Sequence, residues 1–392
     1  MYARRMLSSG LLALLAIVSS LYLITLLHIN SSQPGFHHAD DPTKDVLHIQ
    51  PGIGFDLTAF YGTVAISYPN GTTHSIHKVE GNEKYRETWK RLSLESSKHI
   101  APPYNNAGED FNDIPRQQLR RWRKRFGFPA SEDVGTIAGM LAALRDKAEQ
   151  YTGKPVTSAI ATIPHLAAVY NEDIIDAFEH IGVEMHKQHL LDHLVYETMT
   201  AYAGCGYGLC SNFTDIVSCH NESYHSDFDD IMVLLYTRDA FIVSVARMHG
   251  GFSLWEPPYR IRQDWTLGSD ELLSRTDPDD IDEYWALVRE LIFNIYLMQH
   301  YDFPSKIILM GESADSPVFK KNVVEAMEFV ADGRAIPPFV DEDPLYVAAK
   351  GAAEYAKRAP WTDQWWNIPR MNKTEIDRGD WEGKLVKQDG AR

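Results

Sequence analysis

A chain of 392 residues, 44% of them hydrophobic, can bury one large two-lobed fold or two medium domains and is too apolar to be a disordered polymer. Its formal net charge of -16 argues against nucleic acid as a partner, because a binder needs a basic face to displace counterions.

From the N-terminus, residues 1–6 form a short cytosolic tail carrying Arg4 and Arg5, and residues 7–29 carry no charge and contain LLALLAIV and LYLITLL. Such a run is long enough to cross a bilayer, and the positive flank should stay cytosolic, with everything after His28 lumenal or extracellular. A cleaved signal peptide is the alternative, but Ser19-Ser20 is a weak cleavage site and His28-Ile29-Asn30 a poor one. The reading is therefore a signal anchor: a single-pass, type II protein of a secretory-pathway membrane. Five N-x-Ser/Thr sequons, at Asn30, Asn70, Asn212, Asn221 and Asn372, point independently to the lumen as glycosylation sites. All three cysteines lie within residues 205–219. Cys210 and Cys219 could close a small loop in an oxidising compartment, leaving Cys205 as a buried thiol. A zinc site would have to recruit His220 and His225, at a spacing that matches no standard zinc pattern.

Residues 30–46, with Pro34-Gly35 and Asp40-Asp41-Pro42, read as a polar stalk. Residues 52–71, GIGFDLTAFYGTVAISYPNG, are a strand, a small turn and a second strand, with Asp56 where the first strand hands over to the turn. A third strand is expected over 73–79, a charged helix over 84–98 and a loop over 101–113. The basic run 116–125, RQQLRRWRKR, is expected to form a solvated helix face with Trp122 and Phe126 turned inward; contact with a membrane surface or an acidic partner is the lesser reading. Ile137, Met140, Leu141 and Leu144 mark an amphipathic helix over 135–152, followed by a strand at 158–163 and a helix over 172–181 that stops at Gly182. After residues 190–209, LLDHLVYETMTAYAGCGYGL, residues 231–247 repeat the strand, turn, strand pattern of the opening. A long helix over 281–301, a buried strand at 306–310, the turn GESADSP at 311–317, a small-residue helix near 343–353 and a tail over 360–392 complete the pattern.

These landmarks, in order, resemble the actin and sugar-kinase superfamily, and most closely the nucleotide-binding domain of seventy-kilodalton heat-shock chaperones. Residues 54–61, GFDLTAFY, stand where those chaperones have the phosphate loop G-I-D-L-G-T-T-Y, and Glu197 resembles the glutamate of N-E-P-T-A-A-A-L-A-Y-G. Residues 235–244 stand at the second phosphate loop, D-L-G-G-G-T-F-D-V-S. Gly311, Ser313 and Pro317 match the adenosine motif G-G-S-T-R-I-P, with Glu312 and Asp315 replacing a glycine and the arginine. The resemblance implies a shortened, two-lobed actin-like (ribonuclease H-like) α/β ATPase fold. Its lobes would span 47–202 and 203–359, with a cysteine and glycan loop at 205–226. Only about 60 residues separate the second phosphate loop from the adenosine motif, too few for the outer subdomain of the chaperones.

By this resemblance the nucleotide contacts are Asp56, Thr58, Glu197, Gly311 and Ser313. The triphosphate chemistry is nonetheless depleted: Thr58, Arg238 and Asp239 carry β-carbons where glycine allows close approach, Leu235 replaces an aspartate, and Phe60 replaces a hydroxyl with a ring. Asp56 alone is a poor magnesium site. The expectation is a degenerate ATPase that holds ATP or ADP weakly, without magnesium or turnover, or recognises an unidentified protein partner through the old interlobe cleft. The competing class is a lumenal glycan-modifying enzyme with a metal on a D-x-D pair, at Asp227 and Asp229, Asp277 and Asp279, or Asp341 and Asp343. His186, His189 and His193 would suggest a metal only if they were helical.

Overall fold

The structure, a computed structural model, describes residues 49–186, 194–251, 254–255, 260–297 and 303–362. The expected membrane anchor, the stalk, most of the tail, the sequons at Asn30 and Asn372, and His189 and His193 lie outside these residues. Among the described residues no helix is long and apolar enough to cross a membrane.

The chain is a mixed α/β fold with two mixed sheets. β1 (Gly52–Leu57) and β2 (Tyr61–Ser67) are near-continuous apolar runs and are wholly buried, as strands covered on both faces must be. β3 (Thr73–Glu80) lies at the sheet edge and is only partly covered. β1 to β3 are an antiparallel meander; β4 (Ser158–Thr162) joins parallel to β1 and β5 (Glu184–Met185) parallel to β4, giving the order β3-β2-β1-β4-β5. The second sheet repeats this plan. β6 (Phe228–Tyr236) and β7 (Phe241–His249) are antiparallel, β8 (Leu254–Trp255) and β9 (Ile261–Asp264) both pair antiparallel with β7, and β10 (Lys306–Met310) and β11 (Phe339–Val340) follow in parallel beyond β6.

Each sheet has an apolar face covered by its own helices. Ile53, Phe55 and Leu57 pack with Ile137, Leu141 and Phe178 from the Glu132–Thr152 and Asn171–Ile181 helices. In the second sheet, Leu234, Tyr236 and Val243 pack with Val288, Ile292, Phe319 and Val323 from the Pro278–Leu297 and Pro317–Ala331 helices. The other faces meet two helices. The Val347–Thr362 helix lies directly on β1: a Cβ on Gly54 would stand 2.2 Å from the Ala349 carbonyl oxygen. The same helix crosses the Glu197–Gly204 helix backbone to backbone, so that a Cβ on Gly351 would stand 1.7 Å from the Thr200 oxygen, and one on Gly204 2.0 Å from that of Val347. Val347 and Ala348 pack against the second sheet with Met199 and Tyr202, whereas Ala352 and Ala356 pack on Ile160 of the first.

Three expectations are corrected. The Ala107–Arg125 helix begins inside the expected 101–113 loop, because the Asn106 side chain accepts the Gly108 and Glu109 N–H groups (2.9 and 3.0 Å) and Glu109 reaches back to the Asn105 N–H (2.9 Å). Trp122 and Phe126 are not turned inward: they are 58% and 59% exposed. The basic side chains of that helix face the body instead, where Arg120 meets Asp173 (2.7 Å) and Asp176 (2.6 Å), and Lys124 meets Asp176 (2.7 Å) and Glu179 (2.8 Å). The expected tail at 360–392 starts too early, since the Val347–Thr362 helix continues through Pro360 with Trp361 and Thr362 buried.

The crossing of the two central helices is sensitive to a single carbon. Gly351→Ala should destabilise the fold by about 2 kcal/mol or more, because backbone on both sides must move. Gly139→Ala, at an open position of the Glu132–Thr152 helix, should instead stabilise by about 0.5–1 kcal/mol. Urea unfolding of the two variants beside the parent checks both signs.

Candidate functional site

The two strand-to-strand turns, β1 to β2 and β6 to β7, are built alike, each closed by a threonine. The Thr58 hydroxyl donates to the Tyr61 carbonyl (2.8 Å) and accepts the N–H groups of Phe60 (3.2 Å) and Tyr61 (3.0 Å). In the second turn the Thr237 hydroxyl donates to the Ala240 carbonyl (3.1 Å) and accepts the Ala240 N–H (3.1 Å). The N–H groups of Phe60, Tyr61 and Ala240, which a phosphate could otherwise meet, are thus taken by the threonine of their own turn. The carbonyls of the second turn are engaged as well, Thr237 accepting the Ser269 N–H (3.0 Å) and Arg238 that of Asp270 (2.9 Å). The Arg238 guanidinium leans out to Asp270 (2.7 Å).

Asp56 follows Gly52 and Gly54 on the β1 face that meets the Val347–Thr362 helix. Strand register places Thr63 opposite Asp56 and Lys78 opposite Thr63, a row of three side chains on one face. Lys78 is therefore two strands away from Asp56, about 10 Å between backbones, and its ammonium turns to Glu80 and Glu312 instead. Asp56 is almost wholly buried and its Oδ1 has no hydrogen-bond partner among the described residues. Burial pushes its carboxyl up to about 7, offset only in part by the Thr63 hydroxyl, whose contact lacks full hydrogen-bond geometry. Glu197, at the start of its helix, is buried nearby, since its charge and those of Asp56 and Glu312 all act on Tyr61.

Tyr61 is the meeting point. Burial first, then the three surrounding carboxyls, hold its phenol well above the ordinary range, while the backbone N–H of Glu312 favours the opposite. The Lys78 ammonium stands 4.5 Å from the centre of the Tyr61 ring and bridges Glu312 and Glu80. Glu312 in turn accepts the Arg238 N–H (3.3 Å), so that an internal carboxylate occupies the mouth of the second turn. Two further contacts join the sheets along the same seam: Phe60 packs edge-on against Trp265 at 5.2 Å, and the Ser75 hydroxyl donates to Asp343 (2.6 Å).

The structure thus brings Asp56, Thr58 and Glu197 around Tyr61 but turns Gly311 and Ser313 to other uses. Gly311 has φ +96° and donates its N–H to Pro344 (3.0 Å); Ser313 donates its N–H to Tyr236 (3.1 Å) and shares its hydroxyl with Ser269 (2.8 Å). Sequence reasoning missed Tyr61, Lys78 and Trp265. A signal existed for Lys78 alone, because hairpin register puts it in the Asp56 row.

The acidic triplets are engaged elsewhere. Asp229 binds Lys306 and Tyr202, Asp277 accepts the Asp279 N–H (3.0 Å), Asp341 pairs with Lys320 (2.6 Å) and Asp343 with Lys350 (2.7 Å). Cys210 and Cys219 are joined, with Cα atoms 5.2 Å apart, so neither offers a thiolate to zinc. Burial pushes the Cys205 thiol up to about 12, which keeps it protonated and unreactive. Asn70, Asn212 and Asn221 are all exposed.

No protein-family model matches the chain, and comparison with curated proteins finds no match.

The raised Asp56 carboxyl has a definite sign. The folded state keeps a proton that the unfolded chain releases above its ordinary value of 3.8, so this group's contribution to stability is full below about pH 4 and is lost as pH rises to about 7. Asp56→Asn removes that loss. Compared with the parent, the variant should gain stability from pH 5 to pH 8, by roughly 2–3 kcal/mol. Urea unfolding at the two pH values measures it, and equal differences at both would place the charge elsewhere.

Proposed function

We propose that this chain is a non-hydrolysing member of the actin-like class, held on a secretory-pathway membrane, whose role is binding rather than turnover. The fold support is the repeated strand order, three antiparallel strands followed by two parallel ones, with a helix pair between the two sheets. The observation that carries the loss of turnover is the filled seam: Tyr61, Lys78 and Glu312 join the sheets where a triphosphate would enter, and the threonine of each turn takes up N–H groups of that turn. Asp56 is the single acidic group left at the first turn, and one carboxylate is a poor magnesium site. Nucleotide, if taken up at all, is held weakly and by its base and ribose. Phosphates would meet Glu312 and Asp239, while the nearby cations Lys78 and Arg238 are already paired with Glu312 and Asp270. The glycan-modifying reading is disfavoured because the acidic triplets are spent on ion pairs and a helix cap.

The purified protein should release no phosphate from ATP with magnesium, and its thermal unfolding should shift no more with ATP than with adenosine or ADP. Magnesium-dependent turnover that disappears in Asp56→Ala would overturn the proposal.

The lumenal orientation has its own test. Endoglycosidase treatment of the protein made in a secretory host should increase its gel mobility, and replacing Asn70, Asn212 and Asn221 by Gln should remove most of that shift. An unshifted band, with protease cleavage from the cytosolic side, would reverse the topology.

A further inference from the structure

The Ala107–Arg125 helix is amphipathic in the reverse of the usual sense. Its charged row, Arg116, Arg120 and Lys124, recurs every four residues and is locked onto Glu172, Asp173, Asp176 and Glu179 of the Asn171–Ile181 helix. Arg120 is itself buried, with its guanidinium also donating to the Glu172 carbonyl (3.1 Å). That ionic seam fixes which way the helix faces. The opposite face presents Phe111, Leu119, Trp122 and Phe126 to solvent, and Phe128 continues it just past the helix end. Trp122 and Phe126 pack on each other at 4.7 Å, which makes them one aromatic ridge. Arg121 and Arg125 flank the ridge, exposed and without an ion pair among the described residues.

We infer that this face docks on the lipid surface of the membrane that anchors the chain. The inference rests on the reading of residues 7–29 as a membrane anchor. Three arguments select lipid over protein. Trp and Phe beside arginine is the composition that settles at the headgroup level, rings toward the acyl chains and guanidinium groups toward phosphate. The local chemistry is complementary, since the exposed guanidinium groups of Arg121 and Arg125 can hydrogen-bond the phosphates that every phospholipid headgroup carries. An isologous contact with a second copy would set Arg121 and Arg125 against their own counterparts. The helix lies flat as a peripheral contact; it is too polar on its inner side to insert.

The test uses the full chain reconstituted into vesicles of phosphatidylcholine and phosphatidylserine, with Phe126 replaced by the photoreactive analogue p-benzoylphenylalanine. A control carries the same replacement at Phe329, an equally open ring on the Pro317–Ala331 helix. Illumination and mass spectrometry should find a lipid adduct at position 126 and little at 329. Chain-to-chain cross-links at 126 in place of lipid would overturn the inference in favour of a second copy. Vesicle-bound protein without an adduct at 126 would overturn it while leaving the anchor intact, and protein that fails to associate with vesicles would overturn both.

Discussion

The architecture depends on how closely backbones approach at the Val347–Thr362 helix. This helix touches β1 at Gly54 and the Glu197–Gly204 helix at Gly351 and Gly204, with no room for a side chain at any of these positions. Contact at that range replaces side-chain packing with dispersion between main chains, and it fixes the helix in rotation as well as position. The two sheets take their places from it. Val347 and Ala348 serve one sheet while Ala352 and Ala356, one to two turns on, serve the other. A surface helix could drift by an ångström without consequence, but this one cannot.

The seam beside that helix pair is closed by the protein's own groups, which bears on the proposal of a binding fold without turnover. A phosphate site needs unsatisfied N–H groups, close approach and countercharge. Here the N–H groups close on Thr58 and Thr237, Tyr61 fills the approach, and the countercharge of Lys78 is committed to Glu312. The buried carboxyl of Asp56 is left without a cation. Its raised protonation range follows from burial with no cation opposite it.

Much of the fold was legible because its signals are local. The buried runs of β1, β2, β6 and β7 and the threonine at the start of each turn repeat visibly, and the 306–310 strand has the bounds its apolar run suggested. The Ala107–Arg125 helix was obscured by Pro102-Pro103, although Asn106 and Glu109 have the spacing of a helix start. Its facing was misjudged for a physical reason. Both an apolar row and a basic row recur at helical period, and hydrophobicity alone sends the apolar row inward. The deciding fact is the acidic row on the Asn171–Ile181 helix, whose match to Arg116, Arg120 and Lys124 requires knowing that the two helices are neighbours. The filled seam was less legible still, since Lys78 and Glu312 are far apart in the chain and each alone looks like an ordinary surface charge.

The loop closed by Cys210 and Cys219 is tied to the end of the central helix. Arg358 donates to the Cys210 carbonyl (3.3 Å), its guanidinium lies 4.5 Å from the centre of the Phe213 ring, and that ring packs edge-on against Trp361 at 5.2 Å. A covalent bond that looks like a trim on a surface loop therefore braces the element on which both sheets rest. Reduction of that bond would be felt at the end of the central helix as well as in the loop, through Arg358 and Phe213.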